Sequence, residues 1–165
     1  MIDAQNDATA MKNRAIVHHG WGAGRAPSPA RVFLWISAVY LLVLGLGSLV
    51  VSPSFSVGDE VSGDHLFGVI ETNGWHGLSG VLLGAASLAL AMSGRWAREG
   101  AAVMGASLLA SGVVLLLYGD GSVALGLIPV DARDAVLLHV LPGVVGLVCA
   151  GATPSWQSLV RGRSE

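Results

Sequence analysis

The sequence predicts an all-α membrane protein, a four-transmembrane-helix bundle with both termini cytoplasmic. Four apolar runs of about 19–20 residues contain no Asp, Glu, Lys or Arg, and at 1.5 Å rise per residue each spans roughly the 30 Å hydrocarbon core of a bilayer. The chain is 53% hydrophobic and only 12% charged, with a mean hydropathy of +0.65, whereas soluble domains carry roughly 25% charged residues. Eight of the nine Lys and Arg residues fall on one side of the four runs.

Residues 1–30 precede the first run as a polar tail containing Pro, Gly and Ala, expected to be mobile. The tail has no apolar core before Val32 and so does not read as a signal peptide. Its adjacent His18 and His19, near Trp21, are too few for a dedicated metal site. The membrane domain covers residues 31–153, with spans at about 32–51, 75–94, 100–119 and 135–153, followed by a cytoplasmic tail, 154–165. None of the runs alternates apolar with polar residues, which excludes the strand pattern of a membrane barrel.

Lys12, Arg14, Arg25 and Arg31 precede span one, Arg95 and Arg98 separate spans two and three, and Arg161 and Arg163 follow span four. Only Arg133 lies on the other side. The positive-inside rule therefore predicts a multi-pass plasma-membrane protein whose longer loops face outward. Trp35, Trp75, Trp96 and Trp156 fall near span ends, where interfacial aromatics belong. The outer segment 52–72 contains the apolar stretch "LFGVI", which should pack on the bundle as a short interfacial helix or a strand-like cover.

Two histidines open the even-numbered spans. On span two, Asn73, His76, Gly80, Gly84 and Ser87 share one helical face, and on span four His139, Gly143, Gly146 and Ala150 do the same. Gly80 and Gly84 form a GxxxG pair, and Gly143 and Gly146 continue the small stripe on span four, so all four are expected at helix contacts. The shared pattern H-x-L-x-G, at His76 and again at His139, suggests two repeated helix pairs in parallel orientation. Pro142, three residues after His139, removes a backbone donor and is expected to kink or shape the helix.

Both rings should lie near the outer boundary, within about one turn of the same depth. Asn73 and Asp134 are expected beside them, so the candidate cluster is Asn73, His76, Asp134 and His139. One reading makes the rings hydrogen-bonded joints between helices. Others make them a proton-responsive or ligand-contacting site, or axial ligands to a b-type haem. A metal site has no supporting ligand spacing, since the only cysteine, Cys149, lies within an apolar run.

No nucleophile elbow, zinc-protease motif or phosphate loop occurs, and no charge sits within a span, so no enzyme, resident cofactor or ion relay is expected. The net charge of −2 offers no basic excess for nucleic acid. The expected partners are the lipid bilayer and, through the Gly-rich faces, a second copy or other membrane proteins.

Leu66, Phe67, Gly68, Asn73, His76 and Gly80, followed by Asp134, Leu138, His139 and Gly143, form an "LFG…N…H…G" block and a "D…LH…G" block. Over residues 31–152 this resembles an actinobacterial-type family of small four-helix membrane proteins described only as a domain of unknown function. Members of that family often carry a second histidine in the first block, where this chain has Ser79 or a neighbour. The resemblance implies a fold and a membrane location and no activity. The expected role is a structural or accessory subunit of a membrane assembly, with a ligand-, proton- or haem-binding protein built on His76 and His139 as the alternative.

Overall fold

The computed structural model describes residues 27–58, 61 and 63–154. The N-terminal tail with Lys12, Arg14, His18, His19, Trp21 and Arg25, the loop acids Asp59 and Glu60, and the C-terminal residues Trp156, Arg161 and Arg163 lie outside the described residues. Four helices long and apolar enough to cross a membrane make up most of the chain: α1 (Pro29–Val51), α2 (Gly74–Ser93), α3 (Ala97–Tyr118) and α4 (Ala132–Gly151). Their outward surfaces are large apolar side chains such as Val39, Leu46, Val103 and Val148, as a lipid-facing bundle requires.

The helix starts are written locally. Pro29 opens α1 behind Ser28, whose hydroxyl accepts from the Arg31 N–H. Asn73 caps α2 by accepting from the His76 N–H at 3.0 Å, and Asp131 caps α4 by accepting from the Asp134 N–H at 3.0 Å. Within α4, Ala135–Val140 is π-helical. It lies directly ahead of Pro142, which cannot donate to the Leu138 carbonyl, so the helix widens before the proline rather than breaking at it.

Two short antiparallel hairpins join the helices on one side of the bundle. The first, β1 (Asp64–Leu66) with β2 (Ile70–Thr72), connects α1 to α2. The second, β3 (Val123–Ala124) with β4 (Ile128–Pro129), connects α3 to α4. "LFGVI" is thus a strand-like cover, turned at Phe67 and Gly68.

The chain is built as two helix–hairpin–helix units, and several interactions recur at matching places. Phe67–Gly68 turns the first hairpin and Leu125–Gly126 the second, with positive φ at all four residues. Each turn glycine stands five residues before the capping Asn73 or Asp131. A Cβ on Gly45 would stand 2.5–2.8 Å from backbone atoms of Gly77, Gly80 and Val81, and one on Gly105 would stand 2.8–3.0 Å from the same atoms of Gly143, Gly146 and Leu147. At the opposite end, Arg31 Nε donates to the Ala91 carbonyl at the end of α2, and Arg98 Nε to the Ala150 carbonyl at the end of α4, which the Thr153 N–H also reaches.

This correspondence is not the one the H-x-L-x-G letters suggest. Gly80 matches Gly146, not Gly143, since a Cβ on either would stand 2.9 Å from the Cα of its partner glycine, Gly45 or Gly105. From cap to crossing, α4 runs from Asp131 to Gly143 where α2 runs only from Asn73 to Gly77, an inset of about two turns. The π-helical segment and His139 lie in that inset.

Within each unit the helices pack closely, α1 on α2 and α3 on α4, while the two units meet through α1 against α3 and α4 and through α2 against α3. The apolar core, including Ala30, Phe33, Leu34, Ala97, Ala101 and Ala150, fills the half of the bundle nearer the chain ends. The half beneath the hairpins is less filled.

Candidate functional site

That under-filled half holds a cavity of about 400 Å³ between the helix pairs, beneath the hairpins. Tyr40 and Ser48 of α1, His76 and Ser79 of α2, Ser107 and Ser111 of α3 and His139 of α4 supply its polar lining. Leu108, Leu138, Ile70 and Ile128 are among the residues that make the rest apolar.

His76 and His139 meet at its wall. Their rings stack with centroids 5.9 Å apart and an interplanar angle of 30°. Each ring is held differently. His139 stands over Gly112, where a Cβ would come within 2.9 Å of the His139 Cβ, and its Nδ1 lies 3.0 Å from Ser111 Oγ. The Ser111 hydroxyl proton is engaged by the Leu108 carbonyl at 2.8 Å, so the His139 Nδ1–H donates and its Nε2 keeps a free lone pair. His76 is positioned by its backbone, through the Asn73 cap and through its carbonyl, which accepts from Ser79 Oγ at 2.8 Å. Its Nδ1 is buried and has no partner among the described residues.

The sequence-predicted quartet separates into two neighbouring groups. His76 and His139 line the cavity, whereas Asn73 and Asp134 belong to the roof above it. Asn73 is fully buried; its Nδ2 donates to the Leu127 carbonyl at 2.6 Å and ties α2 to the second hairpin. Asp134 Oδ2 accepts from the Glu71 N–H at 3.2 Å and ties α4 to the first. With Gly58 N–H on the Gly126 carbonyl at 2.8 Å, these bonds clamp the roof. Beneath it, Thr72 Oγ1 donates to Ser48 Oγ at 2.6 Å, which in turn donates to the Leu44 carbonyl.

The four candidate packing glycines are all occupied within the chain. Gly80 meets Gly45, Gly84 meets Leu42, Gly143 meets Leu109, and Gly146 meets Phe33 and Gly105. Tyr40 and Ser111 escape sequence reasoning. Tyr40 sits inside an apolar run like any interfacial or core tyrosine, and one serine in a helix carries no signal until its neighbour across the bundle is known. Tyr40 lines the cavity and its hydroxyl is also buried without a partner among the described residues.

No group of three or more His, Cys, Asp or Glu side chains that could hold a metal ion occurs among the described residues. Axial ligation of haem needs one nitrogen of each ring aimed at a common iron with a macrocycle between them. The stacked rings instead bring their faces together at 5.9 Å. Neutral imidazoles, a phenol and serine hydroxyls in an apolar cavity suit hydrogen bonding to a small uncharged group.

A family model described as "Domain of unknown function (DUF4383)" matches residues 52–152, which takes in both hairpins, α2, α3 and α4. No curated protein and no solved structure matches the chain.

Proposed function

The chain belongs to the family described as a domain of unknown function (DUF4383), and for this member we propose a non-enzymatic role as a multi-pass membrane protein that binds a small molecule in the cavity beside His76 and His139. The observation that carries this reading is the location of the unpaired polar atoms. Buried polar groups are nearly always hydrogen-bonded, and leaving one unmade costs roughly 1–3 kcal/mol. Ser48, Thr72, Asn73, Asp134 and His139 all have partners. Of the three buried side-chain atoms without one among the described residues, Tyr40 OH and His76 Nδ1 belong to residues lining the cavity, and only Ser87 Oγ does not. A ligand bearing a hydroxyl, which both donates and accepts, would satisfy both.

In this reading the hairpins face outward from the plasma membrane and the chain ends lie in the cytoplasm, following the basic residues. The test is native mass spectrometry and an absorption spectrum of protein purified from its own membranes. A bound mass lost in a His76→Leu, Tyr40→Phe variant supports the reading; a protein that carries no bound mass out of its own membranes opposes it. A Soret band would replace it with haem ligation.

A second reading, an accessory subunit of a membrane assembly, rests on the hairpin tips. Phe67 and Leu125 are 70% and 69% exposed, and both hold positive φ, which L-residues with large side chains rarely adopt. Two apolar tips presented beyond the helices suit contact with a partner subunit. Crosslinking from a Phe67→Cys variant in native membranes would reveal that partner, and a lipid-only environment around the tip would argue against it.

A further inference from the structure

We infer that the ligand of this cavity is a neutral amphiphile drawn from the bilayer, with its polar head against Tyr40 and His76 and its apolar tail in the groove between α1 and α4. This rests on the cavity reading above and adds the route and the ligand class.

The groove is a lateral opening of about 710 Å³ between α1 and α4, lined by side chains such as Val32, Ile36, Leu141, Val145 and Cys149. Tyr40 and Leu138 line both this groove and the cavity, so these two side chains form the partition between them. The groove lies where the two helix–hairpin–helix units pack sparsely, α1 against α4. The tight α1–α2 and α3–α4 crossings close two sides of the cavity. Above it the hairpins are clamped by Asn73 to Leu127, Asp134 to Glu71 and Gly58 to Gly126. Passage from the aqueous side requires breaking that roof, whereas passage from the lipid side requires only rotation of Tyr40 and Leu138. Side-chain rotation is much the faster and smaller motion.

Ligand class follows from what lines each space. No Lys, Arg, Asp or Glu lines either the cavity or the groove, so an ionised head would be buried without a counter-charge. Tyr40 OH, His76 Nδ1 and the free His139 Nε2 offer a donor and acceptors to an uncharged hydroxyl. The head occupies the polar cavity and the tail the apolar groove, giving one continuous site for a long-chain alcohol, phenol or quinol-like lipid.

The test uses the full chain in phosphatidylcholine nanodiscs, with thermal unfolding read by tryptophan fluorescence. The probes are 4-dodecylphenol, phenol and dodecanoate. Expected are a saturable rise in unfolding temperature with 4-dodecylphenol, a response to phenol only at far higher concentration, and none to dodecanoate. Ile36→Trp and, on the facing wall, Val145→Trp fill the groove from exposed positions and should weaken 4-dodecylphenol on the order of tenfold while sparing phenol. Tyr40→Phe should weaken both phenols. If phenol binds but the tail adds nothing and neither groove variant matters, the lateral route is wrong and the cavity reading stands. Dodecanoate binding as tightly as dodecylphenol overturns the neutral-head assignment. No response to either phenol overturns this inference together with the cavity reading.

Discussion

The rings of His76 and His139 stack at 5.9 Å across the bundle and join α2 to α4, two helices that otherwise barely meet. The pair is unequal. His139 is anchored to Ser111 on α3, whereas the side chain of His76 has a buried nitrogen with no partner among the described residues. A purely structural joint would satisfy both rings, so the asymmetry separates a packing role from a binding one.

Ser111→Ala should therefore lower stability by about 0.6 kcal/mol, the average for a hydrogen bond within a membrane bundle. By the usual scaling for a chain of this size that is about 1–2 °C in melting temperature. His76→Leu should leave the melting temperature unchanged or raise it, because it removes an unpaired acceptor while keeping apolar volume. Thermal unfolding in detergent measures both. A large drop for His76→Leu would return that ring to a structural role.

The glycine crossings constrain the packing through backbone atoms. At Gly45 an added Cβ would stand 2.5 Å from the Val81 nitrogen, and at Gly105 it would stand 2.8 Å from the Gly143 oxygen and the Leu147 nitrogen, all backbone atoms that cannot rotate away. Gly45→Ala and Gly105→Ala should each cost about 1–3 kcal/mol, the range for overpacked cores. Gly151→Ala, with nothing within 4 Å of its Cβ, is the control and should change little. Urea unfolding in mixed micelles would rank the three.

The four helices were legible because the bilayer demands unbroken apolar runs of fixed length, and 32–51, 75–94, 100–119 and 135–153 are such runs, each within about three residues of a helix that forms. His76 and His139 could be picked out because an ionisable ring is rare in that setting. Their company could not be foreseen. Asn73 and Asp134 share their depth, yet each finds a backbone partner in a hairpin first, Leu127 and Glu71. The duplication was also visible, but in other letters: "LFGVI" against "ALGLI", each glycine five residues ahead of an Asn or Asp cap. H-x-L-x-G distracted from it, since two extra turns in α4 displace that motif. Tyr40 was hidden because only three-dimensional packing decides whether a tyrosine hydroxyl in a span finds a partner.

The two arginines at the chain-end side should act through geometry as well as charge. Arg31 and Arg98 each donate through Nε to a carbonyl at the end of the companion helix, Ala91 and Ala150. Lysine has no equivalent of that nitrogen. Arg31→Lys and Arg98→Lys should keep the topology set by positive charge while losing the end-of-helix bond, which at partly exposed positions is worth about 0.3–1 kcal/mol. Cysteine-accessibility mapping of the termini checks the first half, and thermal unfolding the second. Full recovery of stability by lysine would show that only charge matters.

Asn73 performs two tasks that substitutions can separate. Its Oδ1 caps α2 at the His76 N–H, and its Nδ2 holds the second hairpin through the Leu127 carbonyl. Asn73→Ser keeps a capping oxygen and loses the hairpin bond, leaving the Leu127 carbonyl unpaired for about 1–3 kcal/mol. Asn73→Ala loses both, adding roughly 1 kcal/mol for the missing cap. Asp131→Ala removes only the corresponding cap on α4. Hydrogen exchange at the hairpins is the discriminating measurement. Asn73→Ser and Asn73→Ala should both release protection around Val123–Pro129, while Asp131→Ala frays the start of α4 and leaves that hairpin protected. Equal loss of protection in all three would mean that the roof is held by the helix ends collectively and that Asn73 is no special clamp.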